Sequence, residues 1–476
     1  MAMDGKMFAA VPGQLDAYLA LFDGCFARSE GRGHLYRYVA GQLSDLPRKS
    51  VEPMADQAGI PPRTLQEFLA GHRWDHAMAW QLLQREVAGA HADEQAIGTI
   101  DETSFPKCGD KTIGVQHQHC GATGKIDNCV VSVHVGYSWD PSRCQCVLAS
   151  DLYLPRGWLE DRAACREAGV PEELVFREKW RIALDLLQQT LGQGVRFGWW
   201  TFDEGYGNAR AFLQALQDLG QRYVAEVPKS TMGWLLEPTV LQKGAYQGRG
   251  RKRRYPRLSK KSLPACTLEN LLKHSPVLRA VAWENYYVKD TDKGPLVWRA
   301  KAHRFHLQLA VAGAKHDRYL PSAALWLIVA HNPLTGETKY FLSNAAAGVP
   351  LEQLLKVAFS RWHIERCFQD QKGELGLDHF ECRRYVAVQR HLLITAISHL
   401  FLTRLRRAGE TPPAKRLDGV EAAGGGEKKS DAGSLSPDDV STGGPGQRVD
   451  RLPRAVAAAA AGHLAAGPAA DCAYAG

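Results

Sequence analysis

The segment F-S-R-W-H-I-E-R-C-F-Q-D-Q-K, residues 359–372, most constrains the fold of this chain because its charged residues follow a helical spacing. In a helix that turns 100° per residue, Arg361 and Lys372 both lie within roughly 40° of the direction of Glu365. The spacing therefore predicts one helix that presents an acid between two cations. Such a face suits a metal-binding carboxylate beside a phosphate backbone. An ordinary solvated helix with i,i+4 ion pairs has the same pattern.

Two further acids follow segments with the composition of β-strands. The short apolar segment 96–100 precedes Asp101, and the aromatic segment 195–202 precedes Asp203. We expect both acids to stand directly after a strand, and the E-G-Y-G sequence after Asp203 to form a turn. Carboxylates at neighbouring strand ends, facing a helix that carries a third acid, can hold two divalent cations about 3.5 to 4 Å apart. This arrangement is typical of nucleases and strand-transfer enzymes.

Four motifs resemble one known family, the DDE transposases of bacterial insertion sequences, and in particular the DDE superfamily endonuclease group. They are I-D-E-T-S-F-P-K at 100–107, C-G-A-T-G-K-I-D-N-C at 120–129, F-D-E-G-Y-G at 202–207 and R-W-H-I-E-R-C-F-Q-D-Q-K-G-E-L-G-L-D-H-F at 361–380. The resemblance extends from about residue 45 to about residue 407.

The resemblance implies which residues carry the chemistry. Asp101, Asp203 and Glu365 correspond to the catalytic, metal-binding triad, with two Mg²⁺ or Mn²⁺ ions per active site. Arg361 and Lys372 correspond to the basic, DNA-binding members of the family's Y-R-E-K signature.

The chain departs from the signature at its tyrosine. That tyrosine would stand three residues before Arg361, where this chain has Ala358, and the nearest aromatic residue is Phe359. A contact of this tyrosine with DNA is therefore not expected here.

Four other acids lie close to the triad in sequence. Glu102 is expected on the opposite face of the strand from Asp101, and Asp370 and Glu374 are expected off the Glu365 face of the helix. Glu204 is interpreted as a turn acid, with a supporting role in the site as the alternative.

The order of elements and the resemblance together predict an α/β protein. We expect a ribonuclease-H-like catalytic domain with a β-rich insertion, preceded by a small helical domain. The predicted segments are a helical N-terminal domain at 1–95, the two parts of the catalytic domain at 96–227 and 345–407, the inserted β-rich subdomain at 228–344, and a low-complexity, disordered tail at 408–476.

The N-terminal domain contains a pattern typical of a helix-turn-helix. Residues 51–58 and 61–70 are the two predicted helices, with Gly59 and Ile60 as the turn. The pattern indicates a contact with DNA, and a helical hairpin that only packs on the catalytic domain is the alternative.

Charge and hydropathy are consistent with a cytoplasmic DNA enzyme that is nucleoid-associated when bound. The formal net charge is +8 and 45% of the residues are hydrophobic. The sequence shows no run of 18 apolar residues and no signal-peptide pattern at its start.

Positive charge is densest at residues 249–261, where eight of thirteen residues are Lys or Arg. Arg251, Lys252, Arg253 and Arg254 are predicted to contact DNA phosphates, and a solvated loop is the alternative.

These observations predict a metal-dependent DNA transposase that cuts an insertion sequence at its terminal inverted repeats and joins the ends to target DNA. The expected partner is double-stranded DNA, bound by a homo-dimer or a larger assembly. Two alternatives remain open: a catalytically idle relative that binds the repeats, and a structure-specific nuclease without strand transfer.

Overall fold

The computed structural model describes residues 5–408 except 92, 140–143, 243–247, 249–254, 292–293 and 312–317, without the side chains of 5–9, 289–291, 294 and 408. The tail predicted from residue 408 onward thus lies, from residue 409, outside the described residues. So do the four basic residues predicted to bind DNA at 251–254.

The described chain before residue 92 is helical. Its helices are α1 (Gly5–Leu19), α2 (Ser29–Leu43), α3 (Val51–Gln57), α4 (Pro62–Ala70) and α5 (His76–His91), with a 3-10 helix at Ala20–Cys25. The two helices predicted for the helix-turn-helix correspond to α3 and α4, and Pro62 is the first residue of α4, where its missing N–H costs nothing.

Most strands pair in one large mixed sheet, as expected for an α/β protein, and the described residues form fourteen strands in all. They are β1 (Ile97–Pro106), β2 (Gln116–Cys120), β3 (Lys125–Trp139), β4 (Cys144–Tyr153), β5 (Trp199–Phe202), β6 (Tyr223–Val227), β7 (Met232–Trp234), β8 (Val240–Leu241), β9 (Arg257–Leu258), β10 (Cys266–Thr267), β11 (Glu284–Thr291), β12 (Gly294–Ala310), β13 (Tyr319–His331) and β14 (Thr338–Ser343).

Among the described residues, twelve strands pair in this sheet in the order β10-β7-β12-β13-β14-β6-β5-β1-β3-β2, with β4 on β3 and β11 on β12, while β8 and β9 form a separate pair. The strand β5 runs parallel to both of its neighbours, β1 and β6. The other pairings in the sheet are antiparallel.

The remaining helices follow or separate the strands. They are α6 (Arg156–Glu160), α7 (Arg162–Ala168), α8 (Lys179–Gly192), α9 (Glu204–Gly207), α10 (Arg210–Asp218), α11 (Leu268–His274), α12 (Pro276–Ala280), α13 (Leu351–Phe359), α14 (Trp362–Leu375) and α15 (Tyr385–Ala408).

Strand β1 is longer than the sequence predicts. The expected strand end at Asp101 is wrong, because β1 continues to Pro106. Its antiparallel partner β3 pairs with it along this whole length, whereas its parallel partner β5 ends at Phe202, opposite Ile100. Asp101 therefore lies inside β1 but at the end of the parallel part of the sheet.

The segment predicted as an insertion, 228–344, is rich in strands and continues the main sheet. Strand β14 pairs with β6, and β13 and β12 follow outward from it. The predicted borders of this segment, like those of the other domains, stay predictions.

Helix α15 lies at the centre of the hydrophobic core. It is long and apolar enough to span a membrane by length and composition, but 94% of its most apolar window is buried inside the protein. Buried hydrogen bonds tie it to the N-terminal helices: Arg390 Nη1 donates to the carbonyl of Leu69 at 2.9 Å, and Gln42 Nε2 donates to Thr395 Oγ1 at 2.8 Å. The N-terminal helices therefore share one core with the sheet.

Helix α9 approaches the sheet so closely that its last residue must be glycine. A Cβ added to Gly207 would lie 1.9 Å from the carbonyl oxygen of Glu226 on β6. We predict that Gly207→Ala lowers the free energy of unfolding by about 1 to 3 kcal/mol, because the helix has to move away from β6. Thermal melting measures the loss.

The matched control is Gly89→Ala in α5, where an added Cβ meets nothing within 4 Å. That change should leave the melting temperature unchanged or raise it, since alanine is the better helix former. Equal melting temperatures for the two variants would contradict the close approach.

Buried histidines make the core sensitive to acid. Burial lowers the pKa of His391 and of His399 from 6.5 to about 4. Below pH 6.5 the unfolded chain therefore binds more protons than the folded chain, so stability should fall as the pH falls from 6.5 toward 4. We predict that His399→Gln melts with a shallower pH dependence in this window. Thermal melting at stepped pH values tests this, and identical slopes for both proteins would contradict it.

Candidate active site

The parallel pairing of β1 and β5 brings the first two predicted acids together. Ile100 pairs with Phe202, so Asp101 and Asp203, the next residue of each segment, stand at the same level of the sheet. Side chains at one level of adjacent strands project from the same face, and neighbouring strands lie about 4.8 Å apart. The two acids are thus neighbours although they are far apart in sequence.

Asp203 has the second role of capping helix α9. Its Oδ1 accepts hydrogen bonds from the backbone N–H of Gly205 at 3.0 Å and of Tyr206 at 3.3 Å. These bonds fix the carboxyl group at the point where β5 ends, since an N-cap satisfies amides that the helix itself leaves free. The predicted position of Asp203 directly after a strand is confirmed.

Arg361 links the third acid, Glu365, to the sheet. Helix α14 begins at Trp362, and Arg361 is its helical N-cap residue. Arg361 Nη1 lies 3.0 Å from Asp101 Oδ2, and its Nη2 lies 2.9 Å from Glu365 Oε1. One guanidinium therefore joins the acid on β1 to the acid on α14. The i,i+4 geometry predicted for Arg361 and Glu365 is confirmed.

Asp101 is the most buried member of this group, with 8% of its surface exposed. Burial raises its pKa to about 7; the Arg361 charge opposes this shift, and the charges of Asp203 and Glu365 add to it. The site thus concentrates more negative charge than Arg361 alone neutralises. Such a place favours a further cation.

Lys372 lies farther along α14, against the end of β1. Its side chain is partly buried, and Nζ donates to the carbonyl of Ser104 at 3.4 Å. Burial lowers its pKa, and the Asp378 charge opposes that shift. Lys372 therefore lies beyond the Arg361–Glu365 pair, beside the part of β1 that follows Asp101.

Two of the competing acids are bound elsewhere. Glu102 Oε1 accepts from Lys179 on α8 at 2.8 Å. Asp370 lies 3.0 Å from Arg366 and 2.9 Å from Arg406 of α15, and is buried between them. Both carboxylates are therefore engaged in structural ion pairs.

The other two competing acids differ in exposure. Glu204 is exposed in the first turn of α9, as expected of a turn acid. Glu374 is half-buried near the end of α14, where its backbone carbonyl accepts from Lys49 Nζ.

A fourth acid near this group, Glu226, was not predicted from the sequence. It lies on β6, where Ala225 pairs with Phe202, so it stands level with Asp203. It forms an ion pair with Lys339 on β14 at 2.8 Å. The signal available in the sequence was an acid enclosed by apolar residues in the strand Y-V-A-E-V.

Both ring nitrogens of the histidine beside Asp101 already have hydrogen-bond partners. His134 on β3 pairs with Asp101 across the sheet, and its ring nitrogens lie 2.6 Å from the hydroxyl oxygens of Ser132 and Ser150. Burial lowers the pKa of His134 to about 3, so the ring is neutral. It contributes to the packing beneath α14 through Phe368.

At the position of the missing signature tyrosine, the neighbouring aromatic residue packs inward. The Phe359 ring lies 5.1 Å from the Trp298 ring and 6.0 Å from the Phe341 ring, centroid to centroid. Ala358 is buried. This aromatic group anchors the end of α13, just before α14, on the sheet.

The acids fit a divalent cation in donor chemistry, since carboxylate oxygens are the preferred ligands of Mg²⁺. In the described part of the chain, no three His, Cys, Asp or Glu side chains are grouped closely enough to hold a metal ion. The reason is visible in the ion pairs: the Arg361 guanidinium lies between Asp101 and Glu365. A cation thus already occupies the place between these two carboxylates.

Two models of known protein families match the chain. The family model described as DDE superfamily endonuclease matches residues 21–289, which is more than half of the chain, and the model described as Transposase DDE domain matches residues 179–401.

A curated relative and a solved structure are among the proteins to which the chain is similar. The relative is the probable transposase for insertion sequence element IS701 of Microchaete diplosiphon, 28% identical over 200 residues, which are 40% of this chain and 48% of that protein. The chain thus spans about half the length of this relative. The structure is the cryo-EM structure of the piggyBac transposase synaptic complex with hairpin DNA, with a TM-score of 0.35, 11% identity, and coverage of 85% of this chain and 73% of that one.

The two family models and the curated relative confirm the resemblance inferred from the four motifs, and the chain belongs to the DDE superfamily endonuclease group of the DDE transposases of insertion sequences.

Proposed function

We propose that this protein is a metal-dependent DNA transposase, which cuts an insertion sequence at its terminal inverted repeats and joins the freed 3′-hydroxyls to target DNA. The observation that carries the proposal is the convergence of Asp101, Asp203 and Glu365 around Arg361. These acids come from three separate parts of the chain. Their arrangement on three adjacent elements also supports the proposal of a ribonuclease-H-like catalytic domain.

In this proposal Asp101, Asp203 and Glu365 hold two Mg²⁺ or Mn²⁺ ions. When bound, the ions activate the attacking water or 3′-hydroxyl and stabilise the leaving oxygen. The Asp203 carboxyl is kept in place by the α9 amides that bond its Oδ1. Its Oδ2 makes neither of these two bonds and can serve as a ligand.

Arg361 and Lys372 are proposed to contact phosphates of the DNA. Arg361 is bonded to both Asp101 and Glu365, so a phosphate would compete with these carboxylates for its N–H donors. Guanidinium groups bind phosphates in the same bidentate geometry as carboxylates, so a phosphate can take the place of a carboxylate. The protein is proposed to act in the cytoplasm, as a dimer or larger assembly that holds two DNA ends.

We predict that Asp101→Asn, Asp203→Asn and Glu365→Gln each lower the rate of Mg²⁺-dependent cleavage by roughly 100-fold or more, because each removes a charge on which the reaction depends. Binding of the repeat DNA should persist, since backbone contacts are separate from the metal chemistry. Gel-based cleavage and gel-shift assays on a duplex of the inverted repeats that flank the gene measure both.

Glu374→Gln is the matched control, because it removes a half-buried acid from the same helix away from Arg361. It should cut at the normal rate. Loss of cleavage in this variant, with normal cleavage by Glu365→Gln, would contradict the assignment.

The products separate the proposed function from its alternatives. On a donor plasmid with both terminal repeats, a transposase gives cut ends and joined target DNA. Cut ends without joined products would indicate a structure-specific nuclease. Bound but uncut repeats would indicate a catalytically idle relative.

Arg251, Lys252, Arg253 and Arg254 are also proposed to bind phosphates, on the strength of their charge alone. We predict that replacing all four with Ser makes the slope of log affinity against log salt shallower by up to about 0.9 per contact, roughly 3.6 in all. The loss should be similar for repeat and random DNA. Fluorescence anisotropy at several salt concentrations measures the slope, and an unchanged slope would show that this segment does not bind DNA.

A further inference from the structure

Three acids, not two, form a row across the parallel part of the sheet. Phe202 pairs with Ile100 on one side and with Ala225 on the other, so the residues that follow, Asp101, Asp203 and Glu226, stand at one level. Residues at one level of adjacent strands project from the same face. Glu226 therefore faces the side of the sheet on which Arg361 binds Asp101.

Among the side chains that the structure describes, Glu226 forms one ion pair. Its side chain is 17% exposed, and it lies 2.8 Å from Lys339 Nζ on β14. Strand β14 pairs Phe341 with Glu226, so Lys339, two residues away, lies on the same face. Lys339 also lies 3.8 Å from the more exposed Glu337.

Glu226 is also one of four carboxylates whose charges act on Arg361. Burial opposes the charge on this guanidinium, but the charges of Asp101, Glu365, Glu226 and Asp203 outweigh that effect, so the pKa of Arg361 is raised. Two of the four carboxylates bond Arg361 directly. Glu226 is thus an additional anion within electrostatic reach of Arg361, and it forms no bond with it.

We propose that Glu226 is a positioning residue of the metal site, which attracts Arg361 and so weakens its hold on Asp101 and Glu365 when a divalent cation enters. This inference rests on the proposed function, because it assumes that those carboxylates bind the cation. Glu226 acts through its charge and does not contact the metal. Lys339 opposes it by neutralising part of that charge.

The test measures Mn²⁺ binding to the full chain without DNA, by titration calorimetry and by the Mn²⁺-induced rise in melting temperature. Glu226→Gln should raise the dissociation constant roughly three- to ten-fold, since one nearby negative charge is lost. Glu226→Asp, which keeps the charge, should bind nearly as well as the unchanged protein. The matched control is Glu337→Gln, which removes another acid beside Lys339 and should leave binding unchanged.

A second variant keeps the proposal testable if Glu226→Gln fails to fold. Lys339→Met frees the Glu226 charge, so it should tighten Mn²⁺ binding. A purely structural ion pair would instead weaken binding when either partner is lost. Weaker binding in Lys339→Met, or equal binding in Glu226→Gln and Glu337→Gln, would overturn the proposal.

Asp203→Asn separates this inference from the proposed function. If Asp203→Asn weakens Mn²⁺ binding while Glu226→Gln does not, only the role of Glu226 is wrong. If neither variant changes binding, the metal site itself is wrong, and the inference falls with it.

Discussion

A carboxylate buried in a β-sheet is costly unless a cation lies beside it, and the site is built around this requirement at Asp101. Burial raises the pKa of Asp101, the Arg361 charge opposes this rise and the nearby acids add to it, so that the pKa lies at about 7. Arg361 supplies the compensating charge and at the same time bonds Glu365. The single guanidinium therefore couples the position of α14 to that of β1. A divalent cation that takes its place would have to satisfy the same carboxylates.

The parallel pairing of β5 with β1 and β6 determines which acids can share the site. Parallel neighbours need a crossover connection, and helix α8 lies between β4 and β5 in sequence while α10 lies between β5 and β6. The close approach of Gly207 to Glu226 then sets the height of α9 on the sheet, and with it the place of the Asp203 carboxyl group. A small backbone constraint thus fixes a side chain that is proposed to bind the metal.

Helix α15 constrains the position of α14, because it packs against several other helices at once. Its buried polar groups bond N-terminal helices through Arg390 and Thr395, and its Arg406 holds Asp370 of α14. Moving the N-terminal helices would therefore disturb the helix that supports α14. Because of these contacts, the N-terminal helices share the hydrophobic core of the sheet, although the sequence predicts a separate helical domain.

Local patterns in the sequence were sufficient for much of this structure. The spacing of Arg361 and Glu365 predicts their helical ion pair because that geometry depends only on residues four apart. The strand before Asp203 and its turn are likewise local. The end of β1 could not be predicted, because extended backbone persists wherever a partner strand continues, and β3 continues to Pro106. The position of Glu226 beside Asp203 could not be predicted either, because strand register is decided by pairing between distant segments. The sequence by itself determined the kinds of side chains available, and the tertiary structure decided which of them meet, because only the folded sheet places residues from separate strands at one level.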